Sequence, residues 1–319
     1  MYEKYFYLKE NPFHITPDTR FLYMSRTHAE AIELMGYGVK EKKGFVMLTG
    51  EVGTGKTTLC RALIERLPKK IETAMILNPV LSGRELLKTV TADFGLNPRS
   101  DTVKGHLDSL NGFLLKTAEK GGGALIIIDE AQNLNPQALE MLRLLSNLET
   151  EREKLLQIIM VGQPELIEKL GLPELRQLNQ RVIVRYSLGA LNIEETREYI
   201  KNRLKVAGGG TTVEFSEDAV AQVHSSSKGI PRLINIICDR SLTAAFVHEK
   251  KAVDGETVHK AVEELKDEGL IRLNTASKDA PYLRYTPHIA FSAFALSFAA
   301  GFIWGPVIIR MTSLLALFP

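Results

Sequence analysis

Two short stretches of the sequence carry residue types that could do phosphoryl chemistry. The first is Gly50-Glu51-Val52-Gly53-Thr54-Gly55-Lys56-Thr57-Thr58, a G-x-x-x-x-G-K-T run. Its glycines let successive backbone N–H groups curl around a β-phosphate, with the positive end of a following helix behind them. Lys56 is spaced to reach the β- and γ-phosphates, and the Thr57 hydroxyl to ligate Mg2+. The second stretch is Asp129-Glu130, which ends the apolar run at 124–128. Asp129 would hold Mg2+ through water, and Glu130 would orient and deprotonate the attacking water. Removing Glu130 should then stop hydrolysis and leave binding intact. Together the two stretches predict a P-loop ATPase with ATP and Mg2+ as its ligands.

Such groups need strand ends and helix starts to hold them. FVMLT at 45–49 is a short apolar strand directly before the glycine-rich loop, and LCRALIERL after it has helical periodicity. ETAMILN at 72–78, LQIIMVG at 156–162 and VIVRYSL at 182–188 read as further strands. Helical patterns intervene, notably 136–149, with Asn135 as N-cap and Pro136 in the first turn. Gly121-Gly122-Gly123 reads as a tight connection rather than a second phosphate loop. Alternating strand and helix with right-handed crossovers predicts a parallel five-stranded sheet covered on both faces. After 188 the pattern is helical only: 192–207, a break at Gly208-Gly209-Gly210, then 216–225 capped by Ser216, 231–248 and 253–265.

Charge and hydropathy narrow the function class. Forty basic residues against 38 acidic ones leave +2, too little for a strong overall field toward nucleic acid. Cys60 and Cys238 are the only cysteines, which excludes a disulfide scaffold and a cysteine-cluster metal site. The seven histidines, at 14, 28, 106, 224, 248, 259 and 288, lack ligand spacing. Mean hydropathy of −0.04 conceals an uncharged run of 21 residues at 289–309, IAFSAFALSFAAGFIWGPVII. At about 1.5 Å per residue such a helix spans roughly 30 Å, a bilayer's hydrocarbon thickness. Arg272, Lys278 and Arg284 precede the run and only Arg310 follows it, which predicts a cytoplasmic N-terminal part. The opening MYEKYFYLKENPF has no apolar signal core. Ser297, Gly301 and Gly305 form a small-residue stripe suited to helix pairing.

The predicted architecture is therefore α/β: a P-loop NTPase with a parallel five-stranded sheet sandwiched by helices, a small all-helical lid and a C-terminal transmembrane helix. The expected boundaries are 1–42 for an N-terminal segment near the adenine site, 43–190 for the P-loop domain and 191–268 for the lid. A juxtamembrane linker at 269–287, the membrane helix at 288–310 and a short periplasmic tail at 311–319 complete the expectation.

Longer segments carry a resemblance. YEKYFYLKENPFHITPDTRFLYMSRTHAEA at the start, TGEVGTGKTTLCRAL, IIIDEAQNL, RLLSNLETEREKLLQIIMVGQPEL followed by LRQLNQRV, and SKGIPRLINIICDRSL resemble the ExeA/GspA family over roughly residues 1–270. These are the AAA+ ATPases of general secretion pathways. The resemblance implies ATP bound between sheet and lid, and a cytoplasmic ATPase joined by one inner-membrane helix to a periplasmic, often peptidoglycan-binding, domain that helps assemble a secretin. Here the expected tail is about ten residues, so the reading departs from the family by lacking that module. Related ATPases of pilus, exopolysaccharide or exosortase loci fit a shorter chain as well. By the same resemblance Gln163 would sense the γ-phosphate and Arg181, or alternatively Arg176, would be the arginine finger offered to a neighbouring subunit. Arg232 would be the lid arginine on the γ-phosphate, and Asn78 a polar switch restraining Glu130. Phe13 or His28 would stack on the adenine. The implied partners are inner-membrane secretion or export components and further copies of the chain, from dimer to ring. A DNA-transaction AAA+ ATPase is the alternative, opposed by the near-neutral charge, the lack of a basic aromatic stripe and of a winged-helix extension. A slow-turnover ATP switch is the third reading.

Overall fold

The computed structural model describes residues 1–77, 79–150, 153–208 and 213–270. In chain order the strands are β1 (Phe45–Gly50), β2 (Ile71–Ile76), β3 (Gly123–Ile128), β4 (Leu156–Gly162) and β5 (Val182–Leu188). They form one sheet in the order β2-β3-β4-β1-β5, and every pairing is parallel. β1 and β4 are buried along their whole length, as central strands covered on both faces must be. β5, at the edge, alternates between buried and exposed positions instead. Registry places Thr49 opposite Gly162 and Ile128 opposite Met160. The carboxyl ends of β1, β3 and β4 thus lie side by side, where ligands bind in open parallel sheets.

The helices are α1 (Tyr2–Tyr5), α2 (Arg26–Lys40), α3 (Lys56–Arg66), α4 (Gly83–Asp93), α5 (Val103–Glu119), α6 (Pro136–Leu145), α7 (Glu165–Leu170), α8 (Arg176–Asn179), α9 (Ile193–Val206), α10 (Glu217–Ser227), α11 (Pro231–Val247) and α12 (Gly255–Asp267). Strand period sorts the sheet's side chains into two cores. Met47, Ile126, Ile128, Ile158 and Met160 pack with α4, α5 and α6. Val46, Leu48, Leu125, Ile127, Ile159 and Val161 pack with α2 and α3 on the other face. Local chemistry sets the helix starts: Asn135 accepts from the Ala138 N–H ahead of Pro136, and Ser216 from Ala219. Asn192 and Glu195 make a reciprocal capping box.

Some boundaries differ from the sequence pattern. α6 stops at Leu145, because Ser146 caps it and Glu149 pairs across a bridge with Lys154. α12 starts only at Gly255, since Val253 is held in a bridge to Phe215 and Asp254 is the cap. β2 ends at Ile76.

Helices α9 to α12 enclose a third apolar cluster, which also takes in Tyr2, Phe6, Leu8, Phe13 and Phe21. The first 42 residues therefore divide. Residues 2–21 complete the lid core, while α2 covers the sheet. Among the described residues no helix is long and apolar enough to cross a membrane. The run at 289–309, its flanks and its tail lie outside the described residues, as does Asn78.

Candidate active site

The loop after β1 is held by contacts that only its own residue types permit. Gly53 has φ +85°, and a Cβ there would stand 2.5 Å from Cβ of Arg232. Gly55, at φ +95°, is the left-handed N-cap of α3. The Thr54 hydroxyl donates to the Glu51 carbonyl at 2.9 Å. Lys56 is 5% exposed, and its Nζ donates to the carbonyls of Gly50 at 2.7 Å and Glu51 at 3.0 Å. Burial lowers its pKa, opposed by the charges of Glu130 and Asp129. Exchanging these carbonyls for phosphate oxygens would give the ammonium an anionic partner.

His28 supports the same loop from below. Its Nε2 lies 3.1 Å from the Thr54 carbonyl, so that nitrogen carries the proton, and Nδ1 accepts from the Ser25 hydroxyl at 2.6 Å. The ring is buried, which lowers its pKa and favours this neutral form. His28 is thus a brace for the phosphate loop. Phe13 is 1% exposed, within the lid core, and does not line the cleft. The expected adenine stacking is corrected for Phe13, which packs in the lid core, whereas His28 does line the cleft.

Asp129 and Glu130 follow β3. The Thr57 hydroxyl donates to Asp129 Oδ2, and the Glu130 N–H donates to Oδ1 at 3.0 Å. Burial raises the Asp129 pKa above the ordinary carboxylate range. Thr57 and Asp129 offer two hard oxygen groups side by side. That suits Mg2+, which takes few protein ligands beside a phosphate and fills its octahedron with water. Among the described residues no group of three or more His, Cys, Asp or Glu could hold a metal unaided. Glu130 sits at φ +52°, a left-handed conformation that turns the chain sharply at the strand end. Its Oε2 accepts from Nε2 of Gln132 at 2.6 Å and from Nε2 of Gln163 at 3.3 Å. Gln163, just past β4, is thereby brought beside the carboxylate.

The opposite wall comes from the lid. Gly229, at φ +73°, must be glycine, since a Cβ would fall 1.9 Å from the Leu191 carbonyl oxygen. The turn it makes starts α11 against the phosphate loop, with the Arg232 N–H donating to the Gly53 carbonyl at 3.1 Å. Arg232 is exposed and lines a cleft of about 280 Å3 together with residues 52–58, Glu130 and the strap at 14–18. Arg203 of α9, which sequence reasoning missed, ties this strap down. It is buried, and its guanidinium donates to the carbonyls of Pro12 and, at 3.0 Å, His14. It lies over the Phe21 ring at 4.7 Å and donates to the Tyr199 hydroxyl at 3.2 Å, which in turn donates to Asn235 at 2.8 Å. No ion pair to Arg203 occurs among the described residues.

Arg181 and Arg176 stand apart from this cleft. Arg181 Nη1 donates to the Arg143 carbonyl at 3.2 Å, to the Ser146 hydroxyl and to Asn147 at 2.6 Å, capping the end of α6. Arg176 is exposed at the start of α8.

Residues 39–170 match the family described as AAA domain. General secretion pathway protein A of Aeromonas hydrophila is 45% identical over 273 residues, which are 84% of this chain and 50% of that one. The chain thus spans about half the length of the curated relative it matches. The Aeropyrum pernix ORC2 protein, solved in ADPNP–ADP complexes, superposes with a TM-score of 0.59 at 17% identity, covering 80% of this chain and 72% of that one. Drosophila ORC bound to DNA gives 0.59 at 19%, over 84% and 67%. At such identities these likenesses concern the fold alone.

Proposed function

We propose, for a chain that belongs to the AAA+ P-loop NTPases and is a homologue of general secretion pathway protein A, the role of a membrane-anchored ATPase serving an envelope secretion or export system. The observation that carries the ATPase reading is the meeting of the phosphate loop, the Asp129–Glu130 pair and Arg232 of the lid around one cleft.

The chemistry follows from what each residue can do there. Residues 50–58 wrap the β-phosphate with backbone N–H groups, and Lys56 spans the β- and γ-phosphates. Thr57 and Asp129 would hold Mg2+, whose charge would stabilise the phosphate oxygens. Glu130 takes a proton from water as the water oxygen attacks the γ-phosphorus, and the bond to the bridging β–γ oxygen breaks. Gln163 and Arg232 contact the γ-phosphate, so that its loss changes what holds the lid. Arg181, or Arg176, is offered to the next subunit, because each lies away from its own cleft. Of the two, Arg176 has no side-chain hydrogen bond to break among the described residues, whereas Arg181 would have to leave the end of α6.

The secretion role is supported by the name of the relative, and the anchor by the uncharged run at 289–309 with three basic residues shortly before it and one after it. On this reading the ATPase faces the cytoplasm of a bacterium and acts as an oligomer. Turnover per subunit measured over a range of concentrations, on membranes or in detergent, tests it together with Arg181→Ala and Arg176→Ala. A rise with concentration that one variant abolishes is expected, with secretion components co-purifying. Concentration-independent turnover untouched by both variants would end the oligomer reading. Steeply salt-sensitive stimulation by DNA would replace the secretion role.

A further inference from the structure

We propose that Gln132 is the residue that positions the Glu130 carboxylate; this rests on Glu130 being the base assigned above. Gln132 lies in the tight turn Ala131–Asn133 that follows Glu130. Its side chain doubles back beneath the end of β4. There Gly162 leaves the room it needs, since a Cβ at that position would fall 2.8 Å from Gln132 Oε1 and 3.0 Å from Leu166.

The orientation of its amide is dictated by its neighbours. The Gln163 backbone N–H can only donate, and it lies 3.1 Å from Gln132 Oε1. Nε2 of Gln132 must therefore face the other way, toward Glu130 Oε2 at 2.6 Å. The turn itself is pinned from α7, where Lys169 Nζ donates to the carbonyls of Gln132 at 2.7 Å and Leu134 at 2.5 Å. Segments at β4, α7 and the turn thus converge to fix one donor on one carboxylate oxygen. Both of the hydrogen bonds that Gln132 and Gln163 make to this carboxylate fall on Oε2.

The two glutamines divide the work. Gln163 reaches the same Oε2 at 3.3 Å, the longer contact of the pair. It can turn toward a γ-phosphate without releasing Glu130, because Gln132 stays. Gln132 never touches substrate; it acts through Glu130. Loss of this donor lets the carboxylate swing away from the line of attack, and a misplacement of about 1 Å costs up to roughly a hundredfold in rate.

The variant that separates positioning from packing is Gln132→Met, which keeps side-chain length and removes the amide. ATP turnover, nucleotide affinity and thermal midpoint are measured on the full chain beside Glu130→Gln. The expected result is a kcat reduced about tenfold or more, with KM and affinity within about twofold and a midpoint lowered by only the few degrees that an unpaired Gln163 N–H would cause. Lys169→Met, which only loosens the turn, should lower kcat in the same direction by less. Turnover by Gln132→Met within twofold of the parent, or faster than it, overturns the proposal. So does a loss of affinity and midpoint in step with kcat, which would mark a packing role. Undiminished turnover by Glu130→Gln would sink the assignment of the base itself, and this proposal with it, so the two failures are told apart.

Discussion

The two ends of the cleft are built on opposite plans. The phosphate end is built on residues adjacent in the chain, with Gly53, Gly55, Lys56 and Thr57 following β1 without a break, and only Asp129, Glu130 and Gln163 joining them from the neighbouring strand ends. The end lined by the strap and the lid is assembled across nearly the whole described length, from residues 14–18, α9 and α11. It is tied by Arg203 to carbonyls 189 and 191 positions away. The loop's own bonds, Thr54 to Glu51 and Lys56 to Gly50 and Glu51, close it locally, and the lid adds one contact at Gly53. An end held by long-range polar contacts moves when those contacts move. Phosphate chemistry then belongs to the local half, and the coupling of nucleotide to lid movement to the assembled half.

The largest effect expected from breaking the local half is Lys56→Met. It removes an ammonium buried against the loop, and nucleotide affinity should fall roughly a hundredfold. A fluorescent-nucleotide titration checks this, with the thermal midpoint of the nucleotide-free protein nearly unchanged. If affinity survived, the phosphate end would have been misplaced.

Breaking the assembled half should look different. Arg203→Met removes charge-assisted bonds to two strap carbonyls, each of the kind that contributes about 1.5–3 kcal/mol. The strap should detach from α9, the midpoint should fall, and nucleotide affinity should weaken about tenfold. Turnover at saturating ATP should change far less. A kcat loss as large as the affinity loss would show that the strap shapes the chemical end too.

Gly229→Ala sharpens the same half. The new Cβ meets the Leu191 carbonyl, and the left-handed backbone resists it, at a cost of about 1–3 kcal/mol. Denaturant unfolding measures that cost. Arg232 should then sit off the phosphate loop, which a reduced lid response to ATP in limited proteolysis would report.

The smallest effect links the halves through pH. His28 is neutral in the fold because burial lowers its pKa. Stability is therefore whole above the ordinary histidine range, about 6.5. It is lost as pH falls from there through the lowered value in the fold, because the unfolded chain takes up the proton first. His28→Gln keeps an amide donor for the Thr54 carbonyl and should flatten the midpoint–pH curve below about 6.5. An unchanged slope would show that another group carries the dependence.

Legibility in the sequence follows the same division. The phosphate loop, the Asp129–Glu130 pair and the five strands read directly, because contiguous residues encode them and apolar runs mark buried parallel strands. Asn135, Asn192 and Ser216 marked helix starts because capping is a contact over three residues. His28, Arg203 and Gln132 were not legible in these roles. Each acts on a backbone carbonyl or on a carboxylate reached only after a turn or a long crossover, and a carbonyl has no residue type to search for. The N-terminal segment was placed near the nucleotide, yet its aromatic residues alternate between cleft and lid core, which only packing reveals. The register of β3 against β4 sets the distance from Gln163 to Glu130, and no spacing in the sequence encodes it.

On this reading the base of a phosphoryl-transfer site stands at Glu130, apart from the groups that bind nucleotide. Glu130→Gln, assayed for ATP affinity and ATP turnover on one preparation, tests it most directly. The account predicts affinity equal to that of the parent within about twofold and turnover reduced roughly a hundredfold or more. Turnover at the parental rate, or loss of affinity comparable to that of Lys56→Met, would contradict it.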